Sequence, residues 1–513
     1  MAIMALQFST AKNGEKTCSL DNVFIHSKYN PSQEAKNWIF NLKVDFVPKN
    51  IIVLGACIPY CTTFLHERFP NAQIILFQYD KVFESFSDNE NFVSFFISKS
   101  TDDVTICEAL FDYLGEEDAN RTFVISYFPS EKAFPEQFQL AQNGVQKYIK
   151  KSIDVIGTRV YFSKKWFYNS LRFFKNLKNT AFYPQKCNQK ILIAASGPTL
   201  KDSLPYIKKF RDNFFLLSVS SATKVLLEAS ILPDSVITTD GGFWAKKHLD
   251  ILKNHKEIPL ICSTESALPY FAFDMNIVPI EYSDFFQKML FEKSGVHSIH
   301  LERNGTVTGC AINFALNFTD NEIYTVGMDL EKTKGFIHTM PNNLEILDSL
   351  KDNRLCTTEK RITKSNVFSQ SLEVYKNYFS TMDKKYAQRI KRLCTKSNVL
   401  PQLGFIKTEL WSDFECQNKS EQKTSLKNLT IQTTEKNCYT NIINYLSEIT
   451  LKIEKTQYNE SGITDIEISE FFKIFALPQF LNYQKFKMEK DFFATKEKTL
   501  TELKKIAENY VDE

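Results

Sequence analysis

The turn Ser196-Gly-Pro-Thr199 has the composition of a phosphate-binding loop. It follows the apolar run Ile191–Ala195, which predicts a β-strand, and a helix is expected to begin near Thr199. Backbone N–H groups and the helix dipole stabilise an anion at such a helix N-terminus. In this interpretation Gly197 lets the ligand approach the backbone, and Thr199 either caps the helix or donates from its hydroxyl. Ser196 lies at the carboxyl end of the strand.

Later strands of the same region also end in polar residues. Ser220 lies at the end of FFLLSVSS, Asp240 follows DSVITT, and Asp329 follows EIYTVGM. Ligands of open α/β sheets bind at the carboxyl ends of the strands, near the point where the strand order reverses. We therefore expect these side chains to meet the Ser196 turn in one site. For the two aspartates, capping of a helix or turn is an equally open interpretation.

A second predicted helix N-terminus follows Arg303. Its small and polar residues Asn304, Gly305 and Thr306 suit a carboxylate or the other end of a nucleotide. Glycine is scarce, at 15 of 513 residues, and eight of the fifteen fall between positions 197 and 335. Because a sequence that avoids glycine keeps it where the backbone needs it, this clustering favours a ligand site over a mere excess of turns.

Two α/β units are expected to position these turns. The first begins at Asn50 with IIVLGA, a helix and AQIILFQYD, and TFVISYF and Val155–Phe162 predict further strands. The second begins at Gln189. Apolar, uninterrupted strands alternating with helices predict parallel, doubly wound sheets. The first unit has one glycine beside a proline in its turn Gly55-Ala-Cys-Ile-Pro59, which favours a degenerate, non-catalytic Rossmann-like unit over an active methyltransferase.

The predicted fold class is α/β with three domains. Residues 1–185 form a Rossmann-like N-terminal domain with a helical connector. Residues 186–340 form the central doubly wound domain, and a later strand would complete its sheet at about residue 405. Residues 341–513 are expected to be mainly helical, apart from a strand at Arg392–Leu400.

Composition excludes several classes of function. The net charge of +3, from 63 basic and 60 acidic residues, is too close to balance for a protein whose main partner is nucleic acid. The longest apolar stretches are far shorter than the roughly 20 residues of a membrane helix. The start MAIMALQFST lacks the features of a signal peptide, and eleven scattered cysteines indicate reduced thiols. We therefore expect a cytoplasmic protein without membrane insertion or a nucleic-acid partner.

Three segments together resemble the motility accessory factor (Maf) family: ILIAASGPTL, SVSSATKVLLEASILPDSVITTDGG, and GTVTGCAINFAL with EIYTVGMDLEKTKGFIHT. The resemblance covers about residues 186–340 and extends more loosely to the first unit. The central domain of that family is also described as 6-hydroxymethylpterin pyrophosphokinase MptE-like. It is similar to bacterial CMP-sialic acid transferases, whose GNGPSL, TSG and GIDF motifs correspond to the turns at Ser196, Asn304 and Gly327.

The resemblance implies a glycosyltransferase that moves a nonulosonic acid, pseudaminic or legionaminic acid, from its CMP ester to serine or threonine of flagellin, as flagellar assembly and motility require. It implies nucleotide contacts at Ser196, Gly197, Thr199, Ser220 and Asp240, and contacts to the donor carboxylate or phosphate at Asn304, Gly305 and Thr306. His338 is the first candidate for the base that deprotonates the acceptor. Asp329 is the second, as base or as orienter of the histidine.

No cofactor and no divalent metal is demanded besides the CMP-sugar donor. The sequence has no D-x-D pair of the kind that binds a nucleotide-diphosphate sugar through a metal. The closest cysteines, Cys57 and Cys61, lack a second ligand pair. The oligomeric state is left open.

The sequence departs from the sialyltransferases at two points. Ser196 stands where they carry asparagine, and no histidine follows His338, whereas their catalytic histidine follows the GIDF strand. Two other functions stay open. One is an ATP-dependent pyrophosphokinase of the 6-hydroxymethylpterin type, for which Thr239-Asp-Gly-Gly242 supplies a single acid where metal placement needs more. The other is a non-catalytic, flagellin-binding scaffold.

Overall fold

The structure, a computed structural model, describes residues 6–21, 23–86, 92–98, 100–331, 338–343, 346, 349–357, 360, 370–396, 400–417, 429–434 and 437–511. The chain forms two compact units. One comprises residues 1–163 and 449–513, and the other comprises residues 164–448. Each contains a parallel sheet whose strands alternate with helices along the chain, which confirms the predicted α/β class.

The first unit begins with a small antiparallel sheet and continues into a parallel one. Its strands are β1 (Leu6–Thr10), β2 (Lys16–Leu20), β3 (Val23–Phe24), β4 (Asn50–Leu54), β5 (Gln73–Gln78), β6 (Phe92–Phe96) and β7 (Thr122–Ser126). Its helices are α1 (Pro31–Phe40), α2 (Tyr60–Arg68), α3 (Asp103–Leu114), α4 (Phe128–Ala133), α5 (Pro135–Asn176), Ile466–Phe486 and Glu489–Val511. The part of α5 up to Ser163 belongs to this unit, and the rest belongs to the other unit. The helix Cys438–Lys455 contains the boundary at residue 449.

The parallel sheet of the first unit has the order β6-β5-β4-β7. The central strand β4 is apolar at Ile51, Ile52 and Val53, which are all fully buried. Such uninterrupted burial is typical of a parallel strand covered on both faces. Because β5 and β7 lie on opposite sides of β4, the strand order reverses at its carboxyl end, beside Gly55.

The predicted strand at Val155–Phe162 is wrong, because these residues lie inside the 42-residue helix α5. Burial along this helix recurs every three or four residues, at Ala141, Val145, Tyr148 and Ser152. That spacing marks one face of a helix, and it overrides the strand preference of Val155 and Val160. Among the helices of the described ranges, none combines the length and apolar character needed to cross a bilayer.

The second unit is built on one large sheet. Its strands are β8 (Asn179–Phe182), β9 (Lys190–Ala194), β10 (Phe214–Val219), β11 (Ser235–Thr238), β12 (Leu260–Ser263), β13 (Ile277–Glu281), β14 (Ile299–His300), β15 (Ile323–Val326), β16 (Ile390–Cys394), β17 (Lys407–Leu410) and β18 (Thr430–Thr433). Its helices are α6 (Leu200–Lys209), α7 (Ser220–Glu228), α8 (Phe243–His248), α9 (Phe285–Ser294), α10 (Val307–Phe318), Gln370–Ser380, Lys384–Ala387 and Trp411–Gln417.

The strand order of this sheet is β17-β16-β15-β9-β10-β11-β12-β13-β8-β18, with β14 beside β13. All neighbours are parallel except β8 and β18. The chain runs from β9 to β13 on one side and returns to β15 on the other. The strand order therefore reverses between β9 and β15, which is where ligands of open α/β sheets bind.

The two units divide the chain differently from the predicted boundaries at residues 185 and 340. The central sheet continues beyond 340, because β16 and β17 extend it to Leu410. The C-terminal helix Ile466–Phe486 belongs to the first unit, where Lys473 pairs with Glu117 over 3.1 Å and Asn120 donates to the carbonyl of Leu481 over 3.2 Å. The predicted helical C-terminal domain is thus shared between the two units.

Candidate functional site

The turn after β9 is held by the turn after β15. The N–H of Gly197 donates to the carbonyl of Gly327 over 2.7 Å. A Cβ atom on Gly197 would lie 2.7 Å from Cγ of Asp329 and closer still to that carbonyl, so only glycine fits without a shift. The close approach of two backbone segments thus requires a glycine here, and a contact of Gly197 with a ligand stays a prediction.

Asp329 occupies the N-terminus of α6. Its carboxylate accepts from the N–H of Thr199 over 2.8 Å and from Oγ1 of the same residue, and its exposure is 2%. Burial raises the pKa of Asp329, while the bonds from Thr199 and the charge of Arg392 oppose that shift. The N–H and the hydroxyl of Thr199, which could otherwise bind a phosphate, are thus bonded to the protein's own carboxylate. A role for Asp329 as base or orienter stays a prediction.

The N-terminus of α7 lies beside the same turn and is differently organised. Oγ of Ser221 donates to Oγ of Ser196 over 2.9 Å. The helix begins at Ser220, and its N-cap residue Val219 provides no side-chain hydrogen bond. The first N–H groups of a helix need acceptors from outside it. Ser196 therefore lies beside the helix end that begins at Ser220, and the N-cap side chain of this helix does not cap it.

Asp240 lies exposed in the turn after β11. Its Oδ1 accepts from the N–H of Gly242 over 2.7 Å, which is the turn role expected of an aspartate at this position. Its charge also contributes to a raised pKa of Tyr375, for which burial is the main cause. Asp240 therefore lies within electrostatic range of Tyr375, and its contact with a ligand stays a prediction.

Asn304, Gly305 and Thr306 together form the cap of α10. Oγ1 of Thr306 accepts from the N–H of Gly309 over 2.7 Å, and Oδ1 of Asn304 accepts from the N–H of Thr306 over 3.0 Å. A Cβ on Gly305 would lie in ordinary contact, 3.8 Å, with the ring of Tyr375. The three predicted residues thus organise a helix N-terminus, while their contact with a donor stays a prediction.

His338 is brought to the predicted phosphate turn by the residue that follows it. The N–H of Thr339 donates to the carbonyl of Ser196 over 2.7 Å. His248, at the end of α8, lies within electrostatic range of His338. Burial and, to a smaller extent, the charge of His338 lower the pKa of His248 to about 4, and the charge of Asp240 opposes the shift. His248 is therefore uncharged at neutral pH. The predicted base and the predicted nucleotide residues share one edge of the sheet.

Two of the groups at this edge carry no sequence signal. His248 follows a glycine pair by six residues and belongs to no motif, and Tyr375 lies beyond the cluster of glycines. Their positions are set by the fold, since α8 follows β11 and the helix Gln370–Ser380 precedes β16. His248 and Tyr375 could be predicted only by first predicting which helices lie at the carboxyl edge of the sheet.

Arg303 is a third group that the sequence interpretation did not single out. Its guanidinium donates to both carboxylate oxygens of Glu265, each over 2.8 Å, and to Asp284 over 2.8 Å. It also lies 4.5 Å from the ring centre of Tyr282. Bidentate pairing of this kind fixes geometry as well as charge. Arg303 therefore anchors the turn that leads into α10.

The edge offers groups for an anion and for hydroxyls. The N-terminus of α7 with Ser196 suits a phosphate, and the exposed carboxylate of Asp240 suits a ribose hydroxyl. Across the described ranges, no group of three or more His, Cys, Asp and Glu side chains has the arrangement of a metal site. The expectation that no divalent metal is demanded stays a prediction.

Comparisons with known proteins agree with this architecture. Residues 162–335 match the family model of 6-hydroxymethylpterin diphosphokinase MptE-like proteins. An uncharacterized protein of Treponema pallidum (strain Nichols) is 26% identical over 290 residues, which span 56% of this chain and 63% of that relative. The structure of a Maf glycosyltransferase from Magnetospirillum magneticum AMB-1 covers 97% of this chain and 86% of its own, with a TM-score of 0.55 and 11% identity.

The chain therefore contains an MptE-like domain within an α/β fold. Over nearly its whole length, that fold is similar to the fold of a Maf glycosyltransferase. The resemblance drawn from the sequence motifs is confirmed for the domain and for the fold.

Proposed function

We propose that the protein is a glycosyltransferase that moves a nonulosonic acid, pseudaminic or legionaminic acid, from its CMP ester to a serine or threonine hydroxyl of flagellin. One observation carries this proposal. The hydrogen bond between Thr339 and Ser196 brings His338 to the strand-order reversal, where the N-terminus of α7 also lies. The proposed base and a helix N-terminus that could bind an anion thus lie at one edge, which supports transfer from a sugar phosphate to a hydroxyl. The similarity of the fold to a Maf glycosyltransferase supports the same class of reaction.

The donor phosphate is assigned to α7 and not to α6. Asp329 already occupies the N-terminus of α6, and a second anion beside a buried carboxylate would be repelled. The N-terminus of α7 begins at Ser220, beside the hydroxyl of Ser196. In this assignment Asp240 accepts from a ribose hydroxyl through the oxygen that does not hold the Gly242 turn.

The reaction then needs one bond broken and one formed. The bond from the anomeric carbon to the phosphate oxygen breaks, and CMP leaves with the electron pair, stabilised by the N–H groups of α7. The acceptor oxygen forms the new bond to the anomeric carbon, and its proton passes to His338. A positioned base of this kind contributes about 10²–10⁴-fold to the rate.

The test is transfer from CMP-legionaminic and CMP-pseudaminic acid to purified flagellin, read as an increase in the intact mass of flagellin. We expect the wild-type protein to transfer one of the two sugars. The matched control to His338→Ala is His297→Ala, which alters an exposed histidine of the same unit and should transfer normally. No mass increase with either donor, together with an unchanged flagellin mass in a host lacking the gene, would contradict the proposal.

A second candidate is diphosphoryl transfer to a hydroxymethylpterin, because the family model that matches residues 162–335 bears that name. Such an enzyme binds ATP with Mg²⁺, whereas the proposed transferase binds CMP. Titration calorimetry separates the two. Clearly tighter binding of ATP with Mg²⁺ than of CMP would favour the diphosphokinase.

A further inference from the structure

The segment that carries His338, residues 338–343, crosses the carboxyl edge of the second sheet; we refer to it as the His338 segment. Its first anchor is the bond from the N–H of Thr339 to the carbonyl of Ser196. Its second is the bond from Nδ2 of Asn342 to the carbonyl of Ser221, over 3.2 Å. Thr339 and Asn342 are 2% and 1% exposed, so both anchors are protected from competing water.

The side chain of Asn343 adds a third anchor at the far end of the segment. Its Nδ2 donates to the carbonyl of Lys247 over 2.7 Å, and its Oδ1 accepts from Nζ of Lys224 over 3.2 Å. The amide thus uses a donor and an acceptor at once, joining the last turn of α8 to the middle of α7. The bond from Lys224 is charge-assisted, which makes it stronger than a neutral hydrogen bond.

These contacts connect Asn343 to His338. The segment has six residues, and the anchors at Thr339, Asn342 and Asn343 leave little freedom for the backbone between them. Loss of the last anchor would allow the segment to lift from α8, the helix that ends at His248, beside His338. A misplacement of about 1 Å at a reacting group can cost about 10²-fold in rate.

We propose that Asn343 is a positioning residue, which acts through the His338 segment to hold His338 within reach of the acceptor hydroxyl. This inference rests on the proposed function, since it concerns the base of that reaction. Asn343 touches neither donor nor acceptor in this assignment. Its loss should therefore slow the chemical step and leave donor binding intact.

The first measurement is steady-state kinetics of Asn343→Ala. We expect kcat to fall roughly 10- to 100-fold while KM for the CMP-sugar stays within about twofold, because an interaction that matters only for the reacting geometry lowers kcat alone. The matched control is Asn254→Ala, at an exposed asparagine of the same unit, which should change neither constant. Equal losses in Asn343→Ala and Asn254→Ala, or an unchanged kcat in Asn343→Ala, would overturn the proposal.

The second measurement is amide hydrogen exchange of the peptide that contains Thr339. Its N–H is bonded to Ser196, so its exchange reports whether the segment is seated. We expect exchange at least roughly tenfold faster in Asn343→Ala than in the wild type. Lys224→Met removes the bond to Oδ1, together with the 4.0 Å pair between Lys224 and Glu228, but leaves the bond from Asn343 to Lys247. It should give a smaller effect of the same sign, which keeps the test available if Asn343→Ala folds poorly.

The two measurements separate this inference from the proposed function. If the wild type transfers neither sugar, the proposed function fails, and the exchange ratio still decides whether Asn343 seats the segment. If the wild type transfers sugar and Asn343→Ala exchanges like the wild type, the positioning role is overturned and the proposed function stands.

Discussion

The carboxyl edges of the two parallel sheets share one device, a glycine in the turn after a central strand, and differ in what surrounds it. In the first unit Gly55 has a φ of +76°, and a Cβ there would lie 2.6 Å from Cε2 of Tyr79 and closer still to Oγ of Ser130. In the second unit a Cβ on Gly197 would meet Gly327 and Asp329. The packing around both positions thus requires glycine, and neither glycine by itself indicates a ligand.

The first edge is closed by a buried polar network. Nε2 of His26 accepts from the N–H of Ile58 over 3.1 Å, and Nδ1 lies 3.1 Å from the hydroxyl of Tyr127. Because a backbone N–H can only donate, the neutral ring carries its proton on Nδ1. The hydroxyl of Tyr127 donates to the carbonyl of Ile25 over 2.8 Å. The side chains of His26 and Tyr127 thus pack at the carboxyl edge of this sheet, and the degenerate, non-catalytic character of this unit stays a prediction.

The second edge keeps polar groups available. Asp240 is exposed, and the N-cap residue of α7 is Val219, whose side chain cannot accept from the first N–H groups of the helix. The His338 segment is bonded to Ser196 at the same edge. A glycine at the end of a strand is therefore not the feature that indicates a ligand site. The informative feature is the set of donors and charges that are left available to a ligand.

The largest expected difference between the edges lies in their histidines. His338→Ala should lower the transfer rate by about 10²–10⁴-fold and leave CMP affinity nearly unchanged. His26→Ala should leave kcat within about twofold, but it should lower the free energy of unfolding by about 1–3 kcal/mol, because the N–H of Ile58 loses its acceptor. Initial rates and urea melts of both variants measure this. Near-normal transfer by His338→Ala would remove it from the mechanism.

The two glycines give the next largest effect, this time on stability. Gly197→Ala should lower the free energy of unfolding by about 1–3 kcal/mol through overpacking, and Gly55→Ala by roughly 2–4 kcal/mol because its positive φ adds strain. The control is Gly157→Ala in α5, where nothing lies within 4 Å, and it should stabilise by about 0.5–1 kcal/mol. If Gly197→Ala leaves the free energy of unfolding unchanged, packing does not require this glycine, and room for a ligand stays as the reason for it.

Much of this architecture follows from local patterns. The apolar runs at Asn50 and Ile191 are the central strands of their sheets, and the turn at Thr199 does precede a helix. The predicted strand at Val155–Phe162 is wrong because β-branched residues favour strands locally, whereas tertiary burial decides which structure forms. The extent of each unit depends on contacts such as that of Lys473 with Glu117, more than 350 positions apart, which no local pattern reports.

The sequence predicts where the residues of the candidate site lie along the strands and helices, but it does not predict which of them contact each other. Ser196, Ser220, Asp240 and the Asn304 turn all lie at carboxyl ends of strands or at helix starts, as predicted. That Asp329 satisfies Thr199 depends on β15 lying next to β9, a neighbour relation set by the fold. The sequence therefore shows which residues could bind, and only the fold shows which are already engaged.

The stability of the buried network at the first edge should depend on pH. Burial lowers the pKa of His26 to about 3, against about 6.5 in the unfolded chain. Between these values the unfolded state binds the proton and the folded state does not, so stability falls as the pH falls. From pH 7 to pH 4 the wild type should lose about 3 kcal/mol more than His26→Gln, which does not titrate. Urea melts at both pH values measure the difference, with His297→Gln as the exposed control. Equal losses in the wild type and His26→Gln would contradict a buried, neutral His26.

The smallest expected effect concerns Asp240, the exposed acid of the second edge. Asp240→Asn keeps an oxygen for the N–H of Gly242, so the turn should persist and the free energy of unfolding should stay within about 0.5 kcal/mol. If the free carboxylate oxygen accepts from a ribose hydroxyl, the amide weakens that bond, and CMP affinity should fall roughly 3- to 10-fold, about 1 kcal/mol. Calorimetry with CMP measures this, and Asp250→Asn, at an exposed acid just after α8, is the control. Unchanged CMP affinity in Asp240→Asn would leave Asp240 with its turn role alone, and the second edge would then resemble the first at that position.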